Sequence, residues 1–198
     1  MKKILLLIFF LISLNADDFK VVKNLYFKSY DYEKVGRYKE AIKVLAPLYK
    51  KYPNGYTLNL RFGWLFFLNK NYSDAITYYN KASLLSPYSI EPKLGKIRVL
   101  LSTYKYEKAE MVGNQILKID FYNYYANLYT IKSLIFQKKY NSALAMTKKM
   151  LSLYPTDIKF LEELAIIYKA TNSKYLKKVY QDILVLDPNN VLVRTNNI

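Results

Sequence analysis

Apolar residues along most of this chain recur every three or four positions, which is the spacing of one face of an α-helix. Residues 60–87, LRFGWLFFLNKNYSDAITYYNKASLLSP, read as two short amphipathic helices joined at 69–71 and ended by Pro87. Three small residues stand where the two helix backbones would approach closely: Gly63, Ala75 and Ala82. The pattern predicts a helical hairpin.

The same pattern returns every 34 residues along the chain. Steps of 34 from Ala75 reach Ala41, Ala109 and Ala143, and steps from Tyr72 reach Tyr38, Tyr106 and Tyr140. From Pro87 they reach Pro53 and Pro155, passing over Phe121. A fixed period of this length is typical of stacked helical repeats. The sequence therefore predicts an all-α solenoid of about five helix–turn–helix repeats, at about 22–55, 56–89, 90–123, 124–157 and 158–190.

The second repeat resembles the tetratricopeptide repeat (TPR) family. That family has Leu-Gly in its first helix, an aromatic residue three places before an alanine, a second alanine and then a proline. The matching residues here are Phe62-Gly63, Tyr72, Ala75, Ala82 and Pro87. The resemblance covers nearly all of 17–198 and implies one right-handed superhelical solenoid domain. The chain departs from the family at Asn59, where Trp is usual, and at Phe121, where the third repeat lacks its proline.

The resemblance also implies that the first helix of each repeat lines a concave groove, which in the family binds extended peptides or helices. Carried over position by position, the predicted partner-binding residues are Tyr26, Tyr30, Lys34, Leu60, Trp64, Phe67, Leu68, Arg98, Leu101, Tyr125 and Lys132. The same positions also give Leu94, Leu128, Ile135, Glu162, Ile166 and Lys169. Aromatic residues and arginine often anchor interfaces, although aromatic residues at helical spacing also form ordinary cores. Trp64 is favoured as an anchor because the packing of the second repeat is accounted for without it.

Some proteins of this family hold a terminal carboxylate with a fixed set of Lys, Asn and Arg side chains. The matching positions of the first repeat hold Tyr26 and Tyr30. That particular activity is therefore not predicted here.

The composition argues against catalysis. With no His and no Cys, the chain has no imidazole base, no thiolate nucleophile and no histidine or cysteine metal ligand. Glu162 and Glu163 are adjacent, and neighbouring residues on a helix point in different directions. We therefore predict no enzyme activity, no cofactor and no metal site.

The N-terminus has the pattern of a secretory signal peptide over residues 1–16. Two lysines precede an apolar run, and Ala16 supplies a small residue at the cleavage point. The competing interpretation is an uncleaved anchor, but the apolar run is shorter than the roughly 20 residues that span a bilayer. Cleavage after Ala16 predicts a periplasmic or secreted protein with no transmembrane segment.

The chain carries a formal net charge of +16, from 31 basic and 15 acidic residues. Outside the cytoplasm this charge favours anionic lipid, acidic polysaccharide or an acidic protein over nucleic acid. A surface that merely keeps the protein soluble is the alternative. The leading hypothesis is a non-catalytic scaffold or adaptor of the cell envelope that binds a peptide or protein in its groove. The second is a basic component of an envelope export or assembly machine, held on membrane or polysaccharide.

Overall fold

The structure is a computed structural model that describes residues 16–195, and over this range every regular element is an α-helix. The helices are α1 (Ala16–Lys34), α2 (Tyr38–Lys51), α3 (Tyr56–Leu68), α4 (Tyr72–Leu85), α5 (Glu91–Ser102), α6 (Tyr106–Leu117), α7 (Tyr124–Phe136), α8 (Tyr140–Leu153), α9 (Ile158–Ala170), α10 (Leu176–Leu186) and α11 (Val191–Arg194). Short turns join them, and consecutive helices pack as pairs. The predicted all-α, helical-repeat class is confirmed for the part of the chain that the structure describes.

The chain divides into two compact units, 1–53 and 54–198. The first unit contains the pair α1–α2. The second contains the pairs α3–α4, α5–α6, α7–α8 and α9–α10, followed by α11.

In the first unit, α1 is longer than the sequence pattern predicts. Residues 17–22 read as a lead-in before the first helix, but α1 already begins at Ala16. The ammonium group of Lys51, at the end of α2, lies 2.8 Å from the carboxylate of Asp18 and ties the two helix ends together. Ala41, Leu45 and Leu48 recur at helical spacing, which predicts one buried face for this helix, and all three are buried. The predicted signal sequence falls almost entirely on residues 1–15, which lie outside the described residues.

In the second unit, small residues allow helices to approach closely, as the sequence predicts. Ala75, Ala82, Ala109 and Ala143 are fully buried. A Cβ added to Gly63 would lie 2.6 Å from Cδ1 of Tyr79, and a Cβ on Gly95 would overlap Cζ of the same ring. The Tyr79 ring is therefore held between the backbones of α3 and α5, in a space that only glycine leaves open.

The end of the second unit is closed by the short helix α11. The side chain of Asn190 caps it by accepting a hydrogen bond from the backbone N–H of Val193. Val193 is buried in a cluster with residues of α9 and α10, including Leu164 and Ile183. Residues 191–198 are too few for a further helix pair, so the sequence is compatible with either a capping helix or a frayed end, and over 191–194 the structure has the helix.

The turn inside each repeat contains one residue in the left-handed conformation. These residues recur at the 34-residue period and have φ between 50° and 73°: Gly36, Lys70, Tyr104, Lys138 and Asn172. Glycine readily adopts this conformation after a helix, so the sequence predicts that Gly36 marks the end of the first helix, and its φ of 73° confirms it. For a residue with a Cβ, this conformation costs roughly 1–2 kcal/mol.

Lys138→Gly is therefore expected to raise the free energy of unfolding by about 0.5–1 kcal/mol, because glycine adopts a positive φ without the steric cost. The matched control is Lys148→Gly inside α8, which is expected to lower the same quantity by about 1 kcal/mol. Chemical denaturation followed by circular dichroism measures both. Equal destabilisation by the two substitutions would contradict the assignment of strain to position 138.

Candidate functional site

The first helices of four successive repeats, α3, α5, α7 and α9, pack against one another in order within the second unit. Between the first three of them lies a cavity of about 300 Å³, which we call the groove cavity. Its lining comes from α3, α4, α5 and α7 and consists of Leu60, Trp64, Tyr79, Glu91, Leu94, Arg98 and Tyr125. The cavity therefore combines apolar, aromatic and charged side chains from three repeats.

Arg98 occupies the centre of this face. Its guanidinium carbon lies 5.5 Å from the ring centroid of Trp64 on α3 and 5.5 Å from that of Tyr129 on α7. Its Nε donates a hydrogen bond of 2.9 Å to the Tyr129 hydroxyl. We call Trp64, Arg98 and Tyr129 the aromatic–arginine row. Such contacts of a cation with ring faces fix the side chain and contribute about 0.5–1 kcal/mol each where solvent reaches them.

Within residues 16–195, no carboxylate lies within ion-pair distance of Arg98. A guanidinium has five N–H donors, and only the Nε–H donor is used in the described contacts. Arg98 is therefore a positioned cation with hydrogen-bonding capacity left for a ligand.

Further aromatic rings extend the row at both ends. Phe67 lies 5.6 Å from Trp64 and 6.1 Å from Tyr72, measured between ring centroids. At the other end, the ring of Tyr125 stacks on Tyr129 at 5.9 Å. Arg98 therefore joins two groups of rigid rings, Phe67 with Trp64 on one side and Tyr125 with Tyr129 on the other, and such rings give contact area at low entropic cost.

Tyr79 forms part of the cavity wall, although its side chain is only 2% exposed. Burial raises the pKa of its hydroxyl far above the usual value, and the charge of Arg98 opposes this shift. Tyr79 therefore stays protonated at physiological pH and keeps its O–H donor at the cavity.

A second charged feature lies next along the face. The Lys132 ammonium on α7 is 2.8 Å from the Glu163 carboxylate on α9, and the Glu163 side chain is 5% exposed. Burial raises the pKa of Glu163, while the charge and hydrogen bond of Lys132 lower it. Lys132, predicted as a partner-binding residue, is thus already paired with a buried carboxylate.

The structure brings part of the predicted site together. Leu60, Trp64, Arg98 and Tyr125 line the groove cavity, with Leu94 beside them. Phe67 and Leu101 are half-buried and pack against core clusters, and Leu68 is half-buried at the end of α3. Leu128, at an equivalent position, is buried in the core. The three residues predicted from the first repeat, Tyr26, Tyr30 and Lys34, lie on α1 in the first unit, where Lys34 is 3.5 Å from Asp31.

Sequence reasoning missed three residues of the site. Tyr129 lies four residues after Tyr125, which is the spacing of one helix face and could have indicated it. From the sequence alone, Tyr79 belongs to the internal packing of the second repeat, and the structure gives it both packing and a place in the cavity wall. Glu91 borders the cavity and accepts a hydrogen bond of 2.7 Å from the Tyr56 hydroxyl.

Over residues 16–195, no group of three or more acidic side chains is arranged so that it could hold a metal ion. Across the same range, no helix combines the length and apolar character needed to cross a membrane.

The paired helices and their face of first-helix side chains define the fold of tetratricopeptide repeat proteins. A TPR protein from Parabacteroides merdae superposes with a TM-score of 0.77 at 18% identity, covering 89% of this chain and 70% of that chain. MamA from Desulfovibrio magneticus superposes with a TM-score of 0.71 at 17% identity, covering 90% of this chain and 98% of that chain. YrrB, described as a TPR protein with an unusual peptide-binding site, superposes with a TM-score of 0.70 at 11% identity. This match covers 92% of this chain and 98% of that chain. No protein-family model matches the sequence, and no curated protein matches it.

Proposed function

We propose that this protein is a non-catalytic scaffold that captures a peptide or an extended segment of a partner protein in the groove cavity. The observation that carries the proposal is the aromatic–arginine row, in which Arg98 is held between two rings and has no carboxylate partner among the described residues. Peptide binding by YrrB, a protein with the same fold, supports it by analogy.

The chemistry of the cavity indicates the kind of segment that would fit. Arg98 favours a carboxylate, and the Tyr79 hydroxyl can donate a second hydrogen bond beside it. Trp64, Leu60 and Leu94 favour an apolar side chain next to that carboxylate. The proposed partner therefore presents an acidic residue together with an apolar one.

The location of the protein is part of the proposal and depends on the sequence of residues 1–16. Their charged start, apolar run and small residue support export to the periplasm or beyond. In that setting the scaffold would hold another protein of the cell envelope.

Site-specific cross-linking tests the proposal. A photoreactive benzoylphenylalanine at Tyr125, on the cavity rim, is expected to capture a discrete partner in intact cells, which mass spectrometry then identifies. The control position is Tyr88, which is 90% exposed and does not line the groove cavity. Adding Arg98→Gln to the Tyr125 probe is expected to reduce the yield about tenfold, because a charge-assisted hydrogen bond is lost. Identical products from both positions would contradict capture in the groove.

The second candidate function is association with anionic membrane or polysaccharide, and the net charge of +16 is the observation that favours it. A salt series separates the two. Association driven by general charge falls steeply as ionic strength rises and responds equally to the loss of any exposed lysine. Capture in the groove is expected to depend on Arg98 and to persist at high salt through its apolar contacts.

A further inference from the structure

A further cavity in the described part of the chain lies outside the groove cavity and shares no lining residue with it. It has a volume of about 640 Å³ and is lined by α6, by α8 and by the turn that follows α6. We call it the second-helix cavity, because α6 and α8 are the second helices of their repeats. Its apolar lining includes Leu117, Ala145 and Met146.

Phe121 forms one wall of this cavity. It stands at the position where the neighbouring repeats have Pro87 and Pro155, and its side chain is 57% exposed. The departure from the repeat pattern therefore places a large exposed ring beside the cavity.

Lys149 lies at the same wall in a fixed position. Its ammonium nitrogen is 3.8 Å from the Phe121 ring centroid and donates a hydrogen bond of 3.1 Å to the Phe121 carbonyl. Burial lowers the pKa of Lys149, which means that the charged form lacks full solvation. Lys118 adds a second cation to the lining, which includes no acidic residue. Within residues 16–195, neither lysine has a carboxylate at ion-pair distance.

We propose that the second-helix cavity is a second docking site, which accepts a large apolar side chain flanked by carboxylates from an acidic segment of a partner protein. Leu117, Ala145 and Met146 provide the apolar contact, and Lys118 and Lys149 provide the complementary charge. The lining residues of α6 and α8 span about one helical turn each, close to 6 Å. This length suits one or two side chains rather than an extended acyl chain.

The site differs from the groove in its helices and in its residues. The proposal therefore does not depend on the function proposed for the groove, and one protein could bind two segments of the same partner at once. Two linked contacts would raise the overall affinity without requiring either site to be strong.

A peptide titration tests the inference with the full chain. The probe is a blocked hexapeptide of sequence DELFED. Its binding is measured by calorimetry and by the changes in the amide chemical shifts of residues 145–149. The matched control peptides are DESSED, which lacks the apolar pair, and KKLFKK, which reverses the charge. We expect binding of DELFED alone, with the largest shifts at these positions.

Two substitutions in the cavity are expected to raise the Kd for DELFED about tenfold each. Lys149→Met removes the cation but keeps a side chain of similar length. Ala145→Leu fills part of the cavity, and position 145 tolerates the larger side chain because it is exposed on α8. Lys148→Met, on the same helix but outside the cavity, and Arg98→Gln, in the groove, are expected to change the Kd less than twofold.

Four results would overturn the inference. They are no binding of DELFED, equal losses in Lys148→Met and Lys149→Met, a loss confined to Arg98→Gln, and Lys149-dependent binding to anionic phosphatidylglycerol vesicles without binding to the peptide. The third result would place the peptide in the groove, and the fourth would replace the protein partner by lipid. Circular dichroism of each variant confirms that the helices are intact.

Discussion

Gly95→Val is expected to lower the free energy of unfolding of the second unit by about 2–3 kcal/mol. A Cβ at position 95 would overlap Cζ of Tyr79, and the backbone at Gly63 approaches the same ring so closely that a Cβ there would lie 2.6 Å from Cδ1. The ring is also 2% exposed, so the neighbouring core limits its movement. Overpacking of a buried site typically costs 1–3 kcal/mol, which outweighs the few tenths that valine gains over glycine in helix propensity.

Trp64, the single tryptophan, reports on this unfolding because it lies on α3 in the same unit. Tyr79→Leu provides the control, since it removes the ring that the new side chain would strike. In a double-mutant cycle, Gly95→Val should then cost less in the Tyr79→Leu background than in the original protein. Equal costs in the two backgrounds would show that the glycine is needed for another reason. Because neighbouring repeats share their cores, the loss is expected to broaden the transition as well as shift it.

The fold was predictable because its determinants repeat. A buried alanine such as Ala75 has the same role in the first four copies, so the 34-residue period made it visible without any three-dimensional information. The start of α1 was predicted less well. Residues 17–22 have no counterpart in the other repeats, and the contact of Asp18 with Lys51 joins positions 33 residues apart, which a local pattern does not indicate.

The candidate site was predictable only in part, because repeat position tells which side chains share a face but not which of them pair. Trp64, Arg98 and Lys132 occupy equivalent positions in successive repeats. In the structure, Arg98 keeps free donors between two rings, whereas Lys132 is neutralised by Glu163. The difference arises from Tyr129 and Glu163, which also occupy equivalent positions and lie on the first helix of the following repeat in each case. Such pairing between repeats depends on side-chain direction and reach.

The buried pair formed by Lys132 and Glu163 leads to a pH-dependent effect on stability. Burial raises the pKa of Glu163 above its ordinary value of 4.5, and the charge and hydrogen bond of Lys132 make this rise smaller. The folded protein therefore binds this proton more tightly than the unfolded chain. The resulting contribution to stability is complete below pH 4.5 and is lost as the pH rises through the pKa that Glu163 has in the folded protein.

Lys132→Met is expected to make the stability depend more strongly on pH, because the substitution leaves the buried Glu163 carboxylate without its counter-charge. Removing one partner of a fully buried pair costs 3–5 kcal/mol. Since the Lys132 side chain is 41% exposed, we expect a smaller loss of about 1–3 kcal/mol at pH 8. The loss should shrink towards pH 5 as Glu163 takes up a proton. Denaturant unfolding at a series of pH values measures it, and adding Glu163→Gln should restore stability at pH 8 and remove the dependence.

The pair formed by Lys139 and Glu110 provides a matched control for this prediction. Its nitrogen–oxygen distance is also 2.8 Å, but its side chains are 49% and 21% exposed. The hydrogen bond from Lys139 lowers the pKa of Glu110, so this pair stabilises the fold above pH 4.5 and loses its effect on acidification. Lys139→Met should therefore lower the free energy of unfolding by less than about 1 kcal/mol at pH 8. Between pH 8 and pH 5 the stability of this variant should change no more than that of the unmodified protein. If both lysine substitutions gave the same loss and the same pH profile, the burial of Glu163 would not be its cause, and Lys132 would be free to serve the groove as a ligand-binding cation.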